Sequence, residues 1–285
     1  MSEQIDSAIH WATRRIEACS ESARLDAELL LSHCLDKPRS YLYSWPEQEL
    51  SESCWQRFRA LVRKRLQPTP VAYLLGKREF YSMEYATTPA ALVPRPETEL
   101  LVELALQQIP VDRSLRVCDL GTGTGIIAIT LKKQRPLITV CATDVDPDCL
   151  ALARENALQH EVDIDFIESD WYENLPPGSN FDLIVSNPPY VAADHPFLLQ
   201  GDLPAEPTIA LTPGSRGLEA LEVIIAGAPA MLASHGILIL EHGYDQEAAV
   251  AALLQSHGFT EICCESDHNN LPRTTIAHLI SNYRR

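Results

Sequence analysis

Ser186-Asn187-Pro188-Pro189-Tyr190 is the stretch whose residue types could do chemistry. It follows Phe181-Asp182-Leu183-Ile184-Val185, an apolar run of strand length. Two successive prolines end a strand, because proline has no N–H to donate and a fixed φ. The Asn187 and Tyr190 side chains and the Pro188 carbonyl are therefore expected at the C-terminal edge of a sheet, where open α/β folds bind ligands. An amide oxygen and a backbone carbonyl can each accept a hydrogen bond from a planar –NH2 group. The plain alternative is an Asn-Pro turn, which occurs in any protein.

A second candidate lies upstream. Val117-Cys118-Asp119-Leu120 reads as a buried strand and runs into Gly121-Thr122-Gly123-Thr124-Gly125, then into the apolar helix Ile126-Ile127-Ala128-Ile129. Glycines there let a ligand approach the backbone, and the helix start adds free N–H donors. A purely structural turn is the competing reading. The next strand ends at Asp144, 23 residues beyond Gly121. That is where such folds place a carboxylate to accept from both hydroxyls of a ribose, although Asp144 also stands beside a candidate N-cap, Asp146. The G-x-G-x-G spacing departs from the G-x-G-x-x-G that a dinucleotide pyrophosphate requires. S-adenosyl-L-methionine has no pyrophosphate and carries a sulfonium cation, which suits an acidic pocket. Trp171, after the third strand, could pack on its adenine or simply fill the core. A methyl donor beside an –NH2 binder implies N-methylation.

The elements that must position these residues follow from periodicity. Residues 4–66 carry apolar side chains at helical spacing: Ile5, Ile9, Ala12 and Ile16, then Leu25, Leu29 and Leu30, then Trp55, Phe58, Leu61 and Val62 behind the candidate N-cap Ser51. A helical bundle over residues 1–75 is expected, and the run Arg57, Arg59, Arg63, Lys64, Arg65 reads as a solvated face of its last helix. Residues 76–95 read as a linker with a short hairpin, Glu79–Tyr81 against Met83–Tyr85, and Pro96 stands near the first turn of a new helix. From residue 96 onward a third region is expected. Strands and helices alternate in it, with strands drawn at Arg116–Leu120, Ile138–Asp144, Asp163–Glu168, Phe181–Ser186, Gly236–His242, Thr260–Glu265 and Thr274–Ile280. This pattern implies a parallel sheet with helices on both faces. The last two strands flank Asp267-His268-Asn269-Asn270 as an antiparallel hairpin.

Bulk composition narrows the classes. The chain has 285 residues, 46% of them hydrophobic, and no apolar run approaching the roughly 20 residues of a membrane span. Met1–Asp6 is polar and acidic, unlike a secretory signal, so a cytoplasmic location is expected. Eight cysteines without a CxxC pair suggest reduced, mostly buried thiols and no structural metal. The net charge is −16, yet residues 1–75 hold ten basic and ten acidic side chains, so the whole deficit falls after them. A duplex-DNA binder usually carries a basic footprint instead.

Asp119–Gly125, Ser186–Tyr190 and Leu92–Glu99 together resemble the HemK/PrmC-type protein-glutamine N5-methyltransferases, which methylate the glutamine of the Gly-Gly-Gln motif in class I peptide chain release factors. The resemblance covers nearly the whole chain, including Gly76, Glu79-Phe80, Glu206-Pro207, Ala210-Leu211 and Leu240-Glu241-His242-Gly243. It implies a class I methyltransferase fold: a Rossmann-like α/β seven-stranded sheet with a small N-terminal helical bundle and a β-hairpin linker. It also implies that Gly121, Thr122, Gly123, Thr124, Gly125, Asp144, Trp171 and Asn187 contact S-adenosyl-L-methionine. Asn187, Pro188, Pro189 and Tyr190 would hold the glutamine amide, with Asn187, Pro188 and Tyr190 as the catalytic set. The implied partner is a release factor met by a monomer, with the N-terminal region recognising it. Two positions depart from the family pattern. Phe80-Tyr81 stands where Phe-Trp is frequent, and Asn269-Asn270 where a glycine is frequent. Two further activities use similar motifs: N6-adenine methylation of DNA or RNA, and glutamine methylation of a ribosomal protein. Pro94–Glu99 looks more like the release-factor branch. A non-catalytic binding protein is the remaining alternative.

Overall fold

The computed structural model describes residues 3–279, and the chain divides into two compact units. The first comprises residues 3–77 together with Pro196–Glu206. It contains α1 (Ile5–Ile16), α2 (Ala23–Leu35), α3 (Arg39–Ser44), α4 (Glu52–Arg65) and α5 (Val71–Leu75). The spacing of Ile5, Ile9, Ala12 and Ile16 gives α1 one apolar stripe, which packs with Leu30, Leu31, Phe58 and Val62. Ser51 caps α4 by accepting from the Cys54 N–H, as the sequence suggests. α3 and α5 are too short for a periodic signal. α5 starts immediately after Pro70, and Pro68 and Pro70 together separate it from the end of α4.

The basic run of α4 is not a single solvated face. Arg65 is buried and pairs with Asp26 at 2.8 Å and with Asp202 at 2.8 Å. Arg57 donates to the Cys34 carbonyl, and Arg59 lies over the Trp55 ring. A buried guanidinium with two carboxylate partners is a local fastener, and its removal would leave those carboxylates uncompensated.

In the chain that follows, β1 (Lys77–Phe80) and β2 (Met83–Ala86) form a hairpin. Tyr81 and Ser82 both have positive φ at its turn, +51° and +58°. Such hairpin turns ordinarily select Asn-Gly. The second unit, Arg78–His195 with Pro207 onward, is built on α6 (Thr98–Gln108), β3 (Arg116–Leu120), α7 (Ile126–Gln134), β4 (Thr139–Asp144), α8 (Pro147–Gln159), β5 (Asp165–Glu168), β6 (Phe181–Ser186), α9 (Thr208–Leu211), α10 (Glu219–Met231), β7 (Leu232–Glu241), α11 (Glu247–Ser256), β8 (Phe259–Ser266) and β9 (Pro272–Leu279). All seven strands drawn from the sequence are present with small shifts at their ends, Ile280 lying outside the described residues. Their order is β5-β4-β3-β6-β7-β9-β8, parallel except for β9, which is antiparallel to both neighbours.

Alternation along each strand divides the core. Val117, Val140, Leu183, Val185 and Ile239 face α6, α7 and the hairpin residues Phe80 and Tyr85. Cys118, Leu120, Ile184, Leu238 and Leu240 face α10 and α11. The strand order runs outward in opposite directions from β3 and β6, which makes the carboxyl ends of these two parallel strands the topological switch point of the sheet.

Candidate active site

The strand register brings the candidate residues to one edge. Leu120 lies opposite both Thr143 and Ser186, Asp144 opposite Glu168, and Ser186 opposite Leu240. The segments that follow these strand ends therefore converge. The buried Ser186 hydroxyl donates to the Leu120 carbonyl at 2.7 Å, fixing one strand end against the other just where the Gly-rich turn and the Asn-Pro-Pro-Tyr loop depart.

Above this edge lies a cavity of about 400 Å³. Gly121, Thr122, Gly123, Thr124, Asp144, Trp171, Asn187 and Pro189 all line it. Gly125, Pro188 and Tyr190 are not among its lining residues. Gly125 has another role: with φ +83° it starts α7, and a Cβ there would press on Ile129 and Ala153 at 2.9 and 3.1 Å. Gly121 and Gly123 also have positive φ, +68° and +55°. A Cβ on Gly121 would meet the Trp171 ring at 3.4 Å, whereas one on Gly123 would enter open space. The turn is thus a bare-backbone cradle beside an aromatic face.

Asp144 is buried and spans the turn. Its Oδ2 accepts from the Gly123 N–H at 2.8 Å and its Oδ1 from the Asp146 N–H at 3.0 Å. Burial raises its carboxyl above the usual range while these two N–H groups pull it back. Asp146 is the N-cap of α8, accepting from the Asp148 N–H at 2.8 Å. Asp146, Asp170 and Glu219 also line the cavity, so four acidic side chains share it. The volume, the bare cradle, the indole face and the acidic lining fit an adenosine-bearing cation.

At the other end, Asn187 Nδ2 donates to Thr98 Oγ1 at 3.0 Å, so the amide oxygen is the end left for a ligand. Tyr190 Oη donates to Glu241 Oε1 at 3.2 Å, and the Thr98 hydroxyl also hydrogen-bonds the Glu241 carboxyl. Thr98 and Glu241 are each only 1% exposed. Burial pushes the Glu241 carboxyl up to about 7, against the pull of the Thr98 bond, the Arg273 charge and the Tyr190 bond. The Tyr190 hydroxyl is raised above its ordinary value by burial and the facing carboxyl. The backbone of the loop is held too: Gln246 Nε2 donates to the carbonyls of Tyr190 and Gly217, at 3.0 and 3.1 Å.

Thr98 and Glu241 lie within stretches that carry the family resemblance, Leu92–Glu99 and Leu240–Gly243, but the resemblance assigns neither a role. Each had a signal: a buried hydroxyl at a helix start, and a carboxylate ending the apolar run Ile237–Leu240. Further walls come from the irregular stretch Ala90–Arg95, from α9 and the residues after it (Ile209–Pro213), and from the first turn of α10 (Glu219–Val223). Among the described residues no group of His, Cys, Asp and Glu could hold a metal ion, and no helix is long and apolar enough to cross a membrane.

Residues 7–76 match the model of the PrmC N-terminal domain and residues 97–200 that of the methyltransferase small domain. A methyltransferase from Pyrococcus furiosus superposes with a TM-score of 0.54 at 16% identity, covering 70% of this chain and 91% of that one. A T. thermophilus 16S rRNA N2 G1207 methyltransferase, in complex with AdoMet and guanosine, gives 0.51 at 18% identity, covering 71% and 49%. These two likenesses establish the fold, a class I methyltransferase sheet. Sequence relatives reach further. The release factor glutamine methyltransferase of Xylella fastidiosa (strain 9a5c) is 45% identical over 93% of this chain and 94% of its own length. That of Shewanella oneidensis is 41% identical over 95% of both. At that identity and coverage, with the Gly-rich cradle and the Asn-Pro-Pro-Tyr loop meeting at one sheet edge, the chain belongs to the release factor glutamine methyltransferase family.

Proposed function

We propose that this protein transfers a methyl group from S-adenosyl-L-methionine to the side-chain nitrogen of the Gly-Gly-Gln glutamine in a class I release factor. The observation that carries the reading is the orientation of Asn187. Its Nδ2 is committed to Thr98, and its oxygen is left for the cavity that the Gly-rich cradle also lines.

Gly121–Thr124, Asp144 and Trp171 would hold the cofactor, with the cradle admitting it to the backbone and the acidic lining favouring its positive charge. When bound, that cofactor supplies an electrophilic methyl group on a sulfonium. The amide nitrogen to be methylated is a poor nucleophile, because its lone pair is delocalised into its carbonyl. Asn187 Oδ1 and the Pro188 carbonyl, both acceptors, would take its two N–H bonds and aim the nitrogen. Holding reacting atoms at about 3 Å in line is an effect able to supply several kcal/mol. Tyr190, braced by Glu241, would close one side of the amide and exclude water. The proton then leaves to solvent, no strong base being needed once nitrogen carries the methyl.

The names of the relatives favour glutamine over adenine, and the acidic charge of the chain after residue 75 points the same way. The test is transfer of radiolabel from S-adenosyl-L-methionine to a release factor, to its Gly-Gly-Gln glutamine-to-alanine variant and to a DNA duplex in parallel. Label on the intact release factor alone is expected. Label on the duplex would overturn the substrate assignment, and label on the alanine variant would move the acceptor to another residue.

A further inference from the structure

We propose that Thr98 and Glu241 are positioning residues for methyl transfer: together they lock the Asn187 amide with its oxygen toward the cavity. This rests on the reading that Asn187 accepts a hydrogen bond from the substrate amide.

An asparagine amide has two nearly isosteric ends, and a half-turn about its last torsion exchanges acceptor for donor. Only the oxygen can receive an N–H of the substrate. Nothing in Asn187 itself selects that orientation. Thr98 does, because its hydroxyl has a single proton. That proton is engaged by the Glu241 carboxyl, so toward Asn187 the Thr98 oxygen can only accept. Nδ2 must then face Thr98 at 3.0 Å, and Oδ1 must face away from it. Were the Thr98 proton free, the same hydroxyl could donate to Oδ1, and the amide would turn its NH2 to the substrate.

Glu241 is placed for this by register. Ser186 lies opposite Leu240, so the next residues along the two parallel strands, Asn187 and Glu241, leave the sheet side by side. The carboxyl also receives the Tyr190 hydroxyl, so one buried acid orients both side chains of the Asn-Pro-Pro-Tyr loop. Its second oxygen, Oε2, is buried without a hydrogen-bond partner. A buried acid left half-satisfied costs stability, and the gain here is a fixed direction for the whole chain of bonds, Asn187 to Thr98 to Glu241.

The direction depends on the charge of Glu241. A protonated carboxyl presents its own O–H and no longer compels Thr98 to donate. The charged and titratable groups facing it are Arg273 from β9, Glu97 at the start of α6, and Tyr190. Arg273 and Tyr190 do not change charge near neutrality. Turnover should therefore fall as pH drops through about 7.

The experiment compares the full-length wild type with Thr98→Val, Thr98→Ser and Glu241→Gln. It measures kcat for methyl transfer to a release factor and, separately, the Kd for S-adenosyl-L-methionine by calorimetry. Thr98→Val is expected to lower kcat roughly 10- to 100-fold, the scale of a lost hydrogen bond to a charged group. Its cofactor Kd should stay within about 3-fold, and Thr98→Ser should recover most of the lost turnover. Glu241→Gln should lower kcat and flatten the acid limb of its pH profile, because a glutamine can offer Thr98 either end and does not titrate. Wild-type kcat in Thr98→Val overturns the proposal. So does an equal loss of turnover and cofactor binding in both Thr98 variants, which marks a merely structural role. An inactive wild type would sink the underlying functional reading and this proposal with it.

Discussion

The loop that carries Asn187 is held by a backbone contact that only glycine permits. Gly217 has φ +76°, and a Cβ on it would lie 2.5 Å from the Tyr190 carbonyl oxygen and 3.0 Å from the Ala192 nitrogen. Both are main-chain atoms, which cannot swing aside as a flexible side chain could. The contact is reinforced from outside by Gln246, which bridges the two carbonyls. Gly217→Ala should therefore do two things. It should cost about 1–3 kcal/mol in stability, from the strained φ and the overpacked contact. It should also displace the Tyr190 end of the loop and lower kcat more than it weakens cofactor binding. Urea denaturation and a paired measurement of kcat and cofactor Kd test this. Unchanged turnover in a folded variant would mean that the loop does not depend on this support. Asn187 and Tyr190 were legible in the sequence because two prolines mark a strand end. Gly217 was not, since nothing in Ser215-Arg216-Gly217-Leu218 announces which distant carbonyl it will meet.

Among the elements, α8 joins the hairpin to the Gly-rich turn through one side chain. Asn156 is fully buried; its Oδ1 accepts from the Ala86 N–H at 2.8 Å, and its Nδ2 donates to the carbonyls of Ala86 and Thr124 at 3.1 and 2.9 Å. Three main-chain groups of two different segments are thus satisfied by one amide. Asn156→Leu keeps the branched shape, though not the volume, and leaves all three unpaired. At about 1–3 kcal/mol for each buried unsatisfied group, partly relieved by relaxation, a loss of roughly 3 kcal/mol is expected. Because Thr124 lines the cavity, cofactor affinity should fall as well. A stability change below about 1 kcal/mol would show that the hairpin is held by Phe80 and Tyr85 alone. The strands themselves were readable because each is an apolar run bounded by turn residues, buried on both faces by helices. The hairpin was readable despite a Tyr81-Ser82 turn that lacks the usual glycine. What periodicity could not supply was α3, α5 and α9, each too short for a full apolar stripe, and the irregular cavity wall Ala90–Arg95. The basic run of α4 misled for a different reason: Arg65 reaches Asp26 and Asp202, partners 39 and 137 residues away, which no local pattern encodes.

At the scale of the whole molecule, the sheet edge keeps two acids in surroundings that favour their neutral forms. Burial lifts Asp119 from 3.8 to about 7, countered by the Thr122 hydroxyl and the Ala128 N–H and reinforced by the charge of Asp144. Glu241 rises from 4.5 to about 7. Both are therefore acids that bind protons more tightly folded than unfolded. Their contribution to stability is complete below the unfolded values and is lost as pH rises through about 7. Between pH 8 and pH 6 each should add on the order of 1 kcal/mol on acidification. His242 acts in the opposite sense. It is buried, with its ring bonded to Gly243 and Thr275, and burial lowers it below 6.5, so the unfolded chain takes up that proton first. On acidification this opposes part of the gain from the two acids. The net charge of −16 adds self-repulsion that acidification relieves. The unfolding free energy should therefore be greater at pH 6 than at pH 8, by on the order of 1–2 kcal/mol, measured by urea denaturation at fixed ionic strength. Asp119→Asn supplies the control: it removes one titrating acid without changing shape, and should shrink the difference by on the order of 1 kcal/mol. A protein equally stable at both pH values, or an Asp119→Asn variant with an unaltered pH dependence, would mean that these buried acids are ionised in the folded state. The Glu241 carboxylate would then hold the Thr98 proton throughout this range, and turnover would lose its acid limb together with the stability difference.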